Sequence, residues 1–358
     1  MRKIRLMVVD DSILFRNWMV QNLGADPRFE VVGYAVNALE AKDKLPVLKP
    51  DIMTLDIEMP GMTGIDFLRE VLPLHPVPII LVSSLNVRVF DALAAGAVDF
   101  VRKPDMNMEG GKEAFLNTLK SKLAAGADAK VRIPAAPPSH GDAVHAAGAA
   151  ASAPTHGTVS SRLPAHFGNI DVIAIGASTG GTEAILEVVR QFPAKMPGIV
   201  ITQHMPPGFT SMYAERLNRI CHLKVKEACH GDKVQSGQIL LAPGGLQMRV
   251  VRMGSGYSVS CTSEAKVSGH RPSVDVLFDS VATHVKNRAI GVILTGMGAD
   301  GAAGLLRMRK AGAYTIGQNQ ETCVVYGMPM EAYRAGAVCV QSALSSIPQV
   351  VMARLAKA

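Results

Sequence analysis

Three short apolar runs in the second half of this chain restrict its fold more than any other feature. Val172–Ile175 leads into Gly176-Ala177-Ser178-Thr179-Gly180-Gly181, and Ile199–Thr202 into Gln203-His204-Met205-Pro206. Ala289–Leu294 leads into Thr295-Gly296-Met297-Gly298-Ala299-Asp300-Gly301. Each run is rich in β-branched residues and closed by Gly or Pro, so each reads as a buried strand. In open α/β sheets, sites form beyond the carboxyl ends of such strands, often where the strand order reverses. A serine, a histidine and an aspartate brought to that edge suggest a nucleophile, a base and an orienting acid.

The first 124 residues repeat the strand–helix alternation on a smaller scale. Strand candidates are Leu6–Val9, Val31–Tyr34, Ile52–Leu55, Ile79–Val82 and Phe100–Val101, with amphipathic stretches around residues 13–23, 39–48, 64–72, 88–95 and 113–123. Five such units predict a doubly wound, five-stranded parallel sheet. Asp10 and Asp11 follow the first strand, Asp56 the third, Ser83 the fourth and Lys103 the fifth. Three converging carboxylates repel one another and call for a hard cation such as Mg²⁺. A carboxylate nucleophile, a hydroxyl and an ammonium are also the parts needed to accept a phosphoryl group and hold its oxygens.

These residues resemble the response-regulator receiver domain. The resemblance spans residues 3–122 and rests on Val9-Asp10-Asp11-Ser12, Leu55-Asp56-Ile57-Glu58-Met59-Pro60-Gly61-Met62, Val82-Ser83-Ser84 and Val101-Arg102-Lys103-Pro104. It implies Asp56 as phosphoacceptor and Asp10, Asp11 and Asp56 as ligands of Mg²⁺, with the Glu58 carbonyl as a fourth. It further implies Ser83 and Lys103 as phosphate contacts and Phe100 as the switch aromatic. Thr63 departs from the common pattern, outside the pocket.

Between residues 123 and 168, Ala, Pro, Gly, Ser and His dominate, which predicts a flexible linker. Its histidines, His140, His145, His156 and His166, lack the spacing of a metal site. The linker separates two α/β domains, and the second, 169–358, is expected to hold a mostly parallel sheet with an antiparallel stretch near Gln238–Ser260. Net charge is −1 over residues 1–124 and +7 over 169–358. The basic half favours an acidic partner, and its dispersed cations with few aromatics suit a protein surface better than nucleic acid. No apolar run is long enough to cross a bilayer, and Asp10-Asp11 interrupt the N-terminus too early for a signal-peptide core. The five cysteines are scattered without a CxxC, as expected of reduced thiols in a cytoplasm. Cys221-His222 and Cys229-His230 lack the tight ligand pairs of a zinc site.

Taken singly, Ser178 fits a nucleophile or a phosphate-binding glycine loop, His204 a structural histidine and Asp300 a turn residue. Their joint arrival at three strand ends favours a triad. A rival set is His270-Arg271-Pro272-Ser273-Val274-Asp275, although Ser273 there reads as a helix cap with Asp275 in the first turn. These blocks resemble the chemotaxis protein-glutamate methylesterase domain, together with Gln318-Asn319-Gln320-Glu321-Thr322-Cys323-Val324-Val325-Tyr326-Gly327-Met328-Pro329. The order receiver, linker, methylesterase is also that family's. The resemblance implies Ser178 as nucleophile, His204 as base, Asp300 as orienting acid, and an oxyanion hole near Thr179 and Met297, with no cofactor for the esterase.

The implied activity is hydrolysis of glutamate γ-methyl esters on methyl-accepting chemoreceptors, with deamidation of selected glutamines. A chemotaxis histidine kinase is the implied phosphodonor. A DNA-binding effector would be smaller and helical, and a nucleotide-binding module would need a phosphate-loop Lys, which is missing after Gly181.

Overall fold

The computed structural model describes residues 2–84, 88–104, 110–133 and 169–357. Most of the expected linker, including its four histidines, lies outside these residues. The N-terminal sheet is formed by β1 (Ile4–Val9), β2 (Phe29–Ala35), β3 (Ile52–Leu55), β4 (Ile79–Ser83) and β5 (Asp99–Arg102). Its order is β2-β1-β3-β4-β5, with every pair parallel. Helices α1 (Ile13–Gly24), α2 (Ala38–Leu48), α3 (Gly64–Val71), α4 (Arg88–Ala94) and α5 (Gly111–Gly126) follow the strands. Ser12, Asn37 and Thr63 cap the first three by accepting from N–H groups that a helix start leaves free. Helix α5 runs to Gly126, past the expected boundary at 122, because Leu119 and Leu123 carry its apolar stripe into the core.

The second sheet has seven strands: β6 (Val172–Ala177), β7 (Gly198–Gln203), β8 (Lys224–Glu227), β9 (Gln238–Leu241), β12 (Ala289–Ile293), β13 (Tyr314–Gln318) and β14 (Val340–Ser342). Two further strands, β10 (Gln247–Met253) and β11 (Gly256–Thr262), form a separate antiparallel hairpin. The expected antiparallel stretch therefore divides. Gln238–Leu241 joins the main sheet in parallel between β7 and β8, and only the two strands after it are antiparallel. The apolar Ile239-Leu240-Leu241 is buried on both faces, which places it inside a covered parallel sheet.

Helices α6 (Gly181–Val189), α7 (Phe209–Ile220), α8 (Val274–His284), α9 (Ala302–Lys310), α10 (Met328–Arg334) and α11 (Ile347–Lys357) complete this unit. The order β14-β13-β12-β6-β7-β9-β8 reverses direction between β12 and β6. The N-terminal sheet reverses in the same way between β1 and β3. Such reversals splay the loops beyond the strand ends and open a crevice there.

The two units pack against each other through α4, β5 and α5. Phe90 of α4 stacks on Tyr213 of α7 with centroids 5.4 Å apart, and Phe100 of β5 meets Phe209 of α7 at 4.6 Å. Lys130 donates through its amide to the Val324 carbonyl (3.1 Å) and through Nζ to the Gln320 carbonyl (2.9 Å), while Arg132 pairs with Glu187 at 3.2 Å. The contact is aromatic at its centre, with Arg216 of α7 over the Phe90 ring and Lys130 and Arg132, from the segment after α5, at its edge. A cavity of about 350 Å³, lined in part by Ala97, Arg132, Glu183 and Cys323, lies between them.

Candidate active site

Strands β6, β7 and β12 are neighbours at the point of reversal, so the residues after them converge. Ser178 follows β6 in a turn closed by Gly180, which starts α6 at φ +74°, a region that costs an L side chain energy. His204 Nδ1 lies 3.1 Å from Ser178 Oγ, and His204 Nε2 lies 2.7 Å from Asp300 Oδ2. The two ring nitrogens exchange the roles they have in the chymotrypsin arrangement, where Nε2 faces the serine. With the proton on Nε2 toward the carboxylate, Nδ1 is left as the acceptor for the serine hydroxyl.

Asp300 is held from four directions. Besides His204, it accepts from Ser273 Oγ (2.7 Å), the Val274 amide (2.7 Å) and the Asp275 amide (3.1 Å). These amides are the first N–H groups of α8, so the carboxylate sits at the positive end of a helix. Burial alone would raise its pKa, but the hydrogen bonds from His204, Ser273 and Val274 hold it below the usual carboxylate value. The rival set therefore belongs to this site as its frame. Ser273 caps α8 and also binds Asp300, while Asp275 accepts from the Gly304 amide (2.6 Å) and is pushed up in pKa by burial.

Several supporting residues carried no role in the sequence reading. Gln203 Nε2 donates to the Ser178 carbonyl at 2.8 Å. Thr295 Oγ1 donates to the Thr179 carbonyl (3.0 Å) and accepts from the Val325 amide (3.0 Å), and Gln318 Oε1 accepts from the Thr295 amide (2.8 Å). All lie at strand ends inside the quoted motifs, so position was the only signal available. Thr179 is buried, and Met297 follows Gly296, where a Cβ would come within 2.7 Å of Ser178 Cβ and also strike the Met328 sulfur. Gly296→Ala is expected to destabilise the fold by about 1–3 kcal/mol through overpacking. It is also expected to reduce hydrolysis beyond the loss of folded protein, as read by paired urea melts and rate measurements.

At the N-terminal crevice, Asp10, Asp11 and Asp56 bring carboxylate oxygens within 4.8 Å of one another. Lys103 Nζ bridges Asp56 and Asp10, at 2.5 and 2.9 Å. Burial opposes the Lys103 charge, yet the two carboxylates hold its pKa above the ordinary lysine value. Burial raises the pKa of Asp10, opposed by Lys103, which meets its Oδ2. Two buried carboxylates and a third within reach of them supply the hard oxygen donors that suit a divalent cation. The Glu58 amide donates to Asp56 Oδ1 at 3.3 Å, and Ser83 is buried at the end of β4, its carbonyl accepting from the Lys103 amide. Phe100 is buried in the contact with the second unit.

One contact joins the start of β5 to the turn after β6. Asp99 of β5 accepts from Thr179 Oγ1 at 2.7 Å, one residue beyond Ser178, and pairs with Lys122 of α5 at 2.7 Å. Ser121 Oγ stands 3.8 Å from the Met297 sulfur. The N-terminal unit therefore lies directly over the residues that flank the serine.

Residues 6–109 match the response regulator receiver domain and residues 173–351 match CheB methylesterase. A protein-glutamate methylesterase/protein-glutamine glutaminase of Syntrophomonas wolfei is 49% identical over 354 residues, covering 98% of this chain and 97% of that protein. Its counterpart in Salmonella typhimurium is 43% identical over 359 residues, covering 99% and 98%. The crystal structure of the Thermotoga maritima CheB methylesterase catalytic domain is 34% identical, with a TM-score of 0.50 over 51% of this chain and 98% of that one. With relatives this similar over nearly its whole length, the chain belongs to the protein-glutamate methylesterase/protein-glutamine glutaminase family, enzymes that join a receiver domain to a CheB methylesterase domain.

Proposed function

We propose that Ser178, His204 and Asp300 hydrolyse glutamate γ-methyl esters on chemoreceptors and deamidate selected receptor glutamines. The observation that carries this reading is His204 lying between Ser178 Oγ and Asp300 Oδ2. As the Ser178 oxygen attacks the side-chain carbonyl, its proton passes to His204 Nδ1. Asp300 holds the ring by Nε2 and stabilises the imidazolium. The Thr179 and Met297 amides serve as the oxyanion hole. Collapse of the tetrahedral adduct returns the proton from His204 to the departing methanol or ammonia. Water activated by the same nitrogen then attacks the acyl-enzyme, releasing glutamate and restoring Ser178. Methanol release from methylated receptors is the direct test, and failure across a receptor panel would remove the reading.

The receiver domain, placed at residues 3–122, is the regulatory part, and residues 123–168 are the linker to the catalytic domain at 169–358. Asp56 accepts the phosphoryl group from a chemotaxis histidine kinase in the cytoplasm. Asp10, Asp11, Asp56 and the Glu58 carbonyl are the ligands for Mg²⁺, which when bound offsets the negative charge of the cluster and of the phosphoryl oxygens. Ser83 and Lys103 hold the phosphoryl group, and Phe100 responds to their movement. The docked pair separates on phosphorylation, and the linker keeps the domains at high effective concentration.

Mg²⁺ binding has a convenient reporter. Trp18, the single tryptophan, lies 5.6 Å from Phe15, whose ring is 5.0 Å from Lys103 Nζ. Titration with Mg²⁺ alone is expected to change Trp18 fluorescence, and Asp11→Asn to weaken apparent affinity by about tenfold, the loss of one carboxylate contact. An unchanged titration in the variant would exclude Asp11 as a ligand.

A further inference from the structure

Another histidine lies against one face of His204. The rings of His204 and His270 are 3.6 Å apart between centroids and inclined by only 9°. This is contact distance for two flat rings, and it covers one face of the imidazole that bridges Ser178 and Asp300.

The main chain around His270 is anchored independently of its ring. Ser268 and Gly269 both have positive φ and form a tight turn, closed by paired hydrogen bonds between Val267 and His270 at 3.0 and 2.8 Å. The fully buried Gln247 donates to the His270 carbonyl at 3.2 Å and accepts from the Ser273 amide at 2.9 Å. One glutamine thereby ties the His270 backbone to the helix start that binds Asp300. Among the described residues, no hydrogen bond uses a His270 ring nitrogen. The contact engages the ring through its face.

We propose that His270 is a positioning residue for the esterase reaction, its imidazole lying flat on His204 and fixing the tilt at which Nδ1 meets Ser178 Oγ. The reading rests on His204 being the base. The His204 ring turns about its Cβ–Cγ bond against one hydrogen bond at each nitrogen, and a flat ring stacked on its face opposes that turn. Small misalignments of a reacting pair cost large factors in rate. The charge state suits the role. Burial first, and then the neighbouring His204, lower the His270 pKa to about 4, so it is neutral at pH 7. A neutral ring can lie on the imidazolium formed during attack, whereas a charged one would repel it.

Full-length variants assayed for methanol release, with and without phosphodonor and Mg²⁺, test this. His270→Ala is expected to lower kcat by about tenfold, the scale of a lost aromatic contact together with a looser attack geometry, while KM stays within about threefold. His270→Phe, which keeps the flat face without nitrogens, is expected to recover most of kcat. His270→Gln, which keeps hydrogen-bonding capacity without a ring, should resemble Ala. Recovery by Gln but not by Phe would overturn the proposal and make His270 a substrate contact, as would a loss confined to KM. Wild-type kcat in His270→Ala would overturn it as well. Thermal melts of the three variants separate these outcomes from unfolding. His204→Ala is the control: retained activity there would remove the base assignment itself, a failure distinct from that of the stack.

Discussion

Ser178→Ala is expected to leave a folded, dockable protein whose methanol release falls by roughly 10⁴–10⁶, the loss seen when a triad nucleophile is removed. The substitution deletes one oxygen from a turn whose other bonds are made by the backbone. Ser178 N still donates to the Thr295 carbonyl, and its own carbonyl still accepts from Gln203 and from the Gly181 amide. Loss of activity would therefore report chemistry rather than collapse. His204→Ala is expected to lose a similar factor. Asp300→Asn reaches further than a change of charge, because an amide nitrogen would then face at least one of four donors, those of His204, Ser273, Val274 and Asp275. It is expected to lower both rate and stability, with about 1–3 kcal/mol of the latter for a buried group left mispaired. Near wild-type methanol release from folded Ser178→Ala would end the nucleophile assignment. Asp275→Asn proving far more damaging than Asp300→Asn would move the acid to Asp275.

The second large effect is expected at Asp99. In the docked protein its carboxylate holds the Thr179 hydroxyl, beside the serine and near the place where negative charge develops during attack. Docking is therefore expected to oppose catalysis both by cover and by charge. Asp99→Ala is expected to raise activity without phosphodonor by about 10–100-fold, since a charge-assisted hydrogen bond contributes about 1.5–3 kcal/mol. A segment beginning near Asn169 should be at least as active. Wild-type protein treated with a small phosphodonor and Mg²⁺ should approach both, and Asp56→Asn should not respond. The path from Asp56 to the interface is short: Lys103 pairs with Asp56 and follows β5, which carries Asp99 and Phe100 into the contact. A phosphoryl group drawing Lys103 and Ser83 inward would disturb that strand. Equal activity in treated, untreated, truncated and Asp99→Ala samples would show that the receiver does not gate the esterase.

The chain's own periodicity determined much of this architecture. Buried β-branched runs closed by Gly or Pro located β6, β7 and β12, and chemistry-bearing residues at strand ends mark a crevice in each sheet. Parallel strands covered on both faces leave that signature because both sides of each strand must be apolar. The less apolar β8, Lys224–Glu227, and the three-residue β14 gave no such signal, being edge strands with fewer buried positions. Local sequence also misplaced β9, since four residues do not reveal whether their partner lies parallel or antiparallel. What only the tertiary structure decided are the relations between segments far apart in the chain. Ser273 and Asp275 were a helix cap and a first-turn acid in isolation, and became the frame of Asp300 because α8 begins beside the end of β12. Asp99 was one strand residue among many until docking placed it on Thr179, eighty residues away. His270 had no local reason to face His204. Propensity and periodicity act over a few neighbouring residues, whereas these three contacts depend on the order and packing of whole strands and helices, which short-range pattern does not encode.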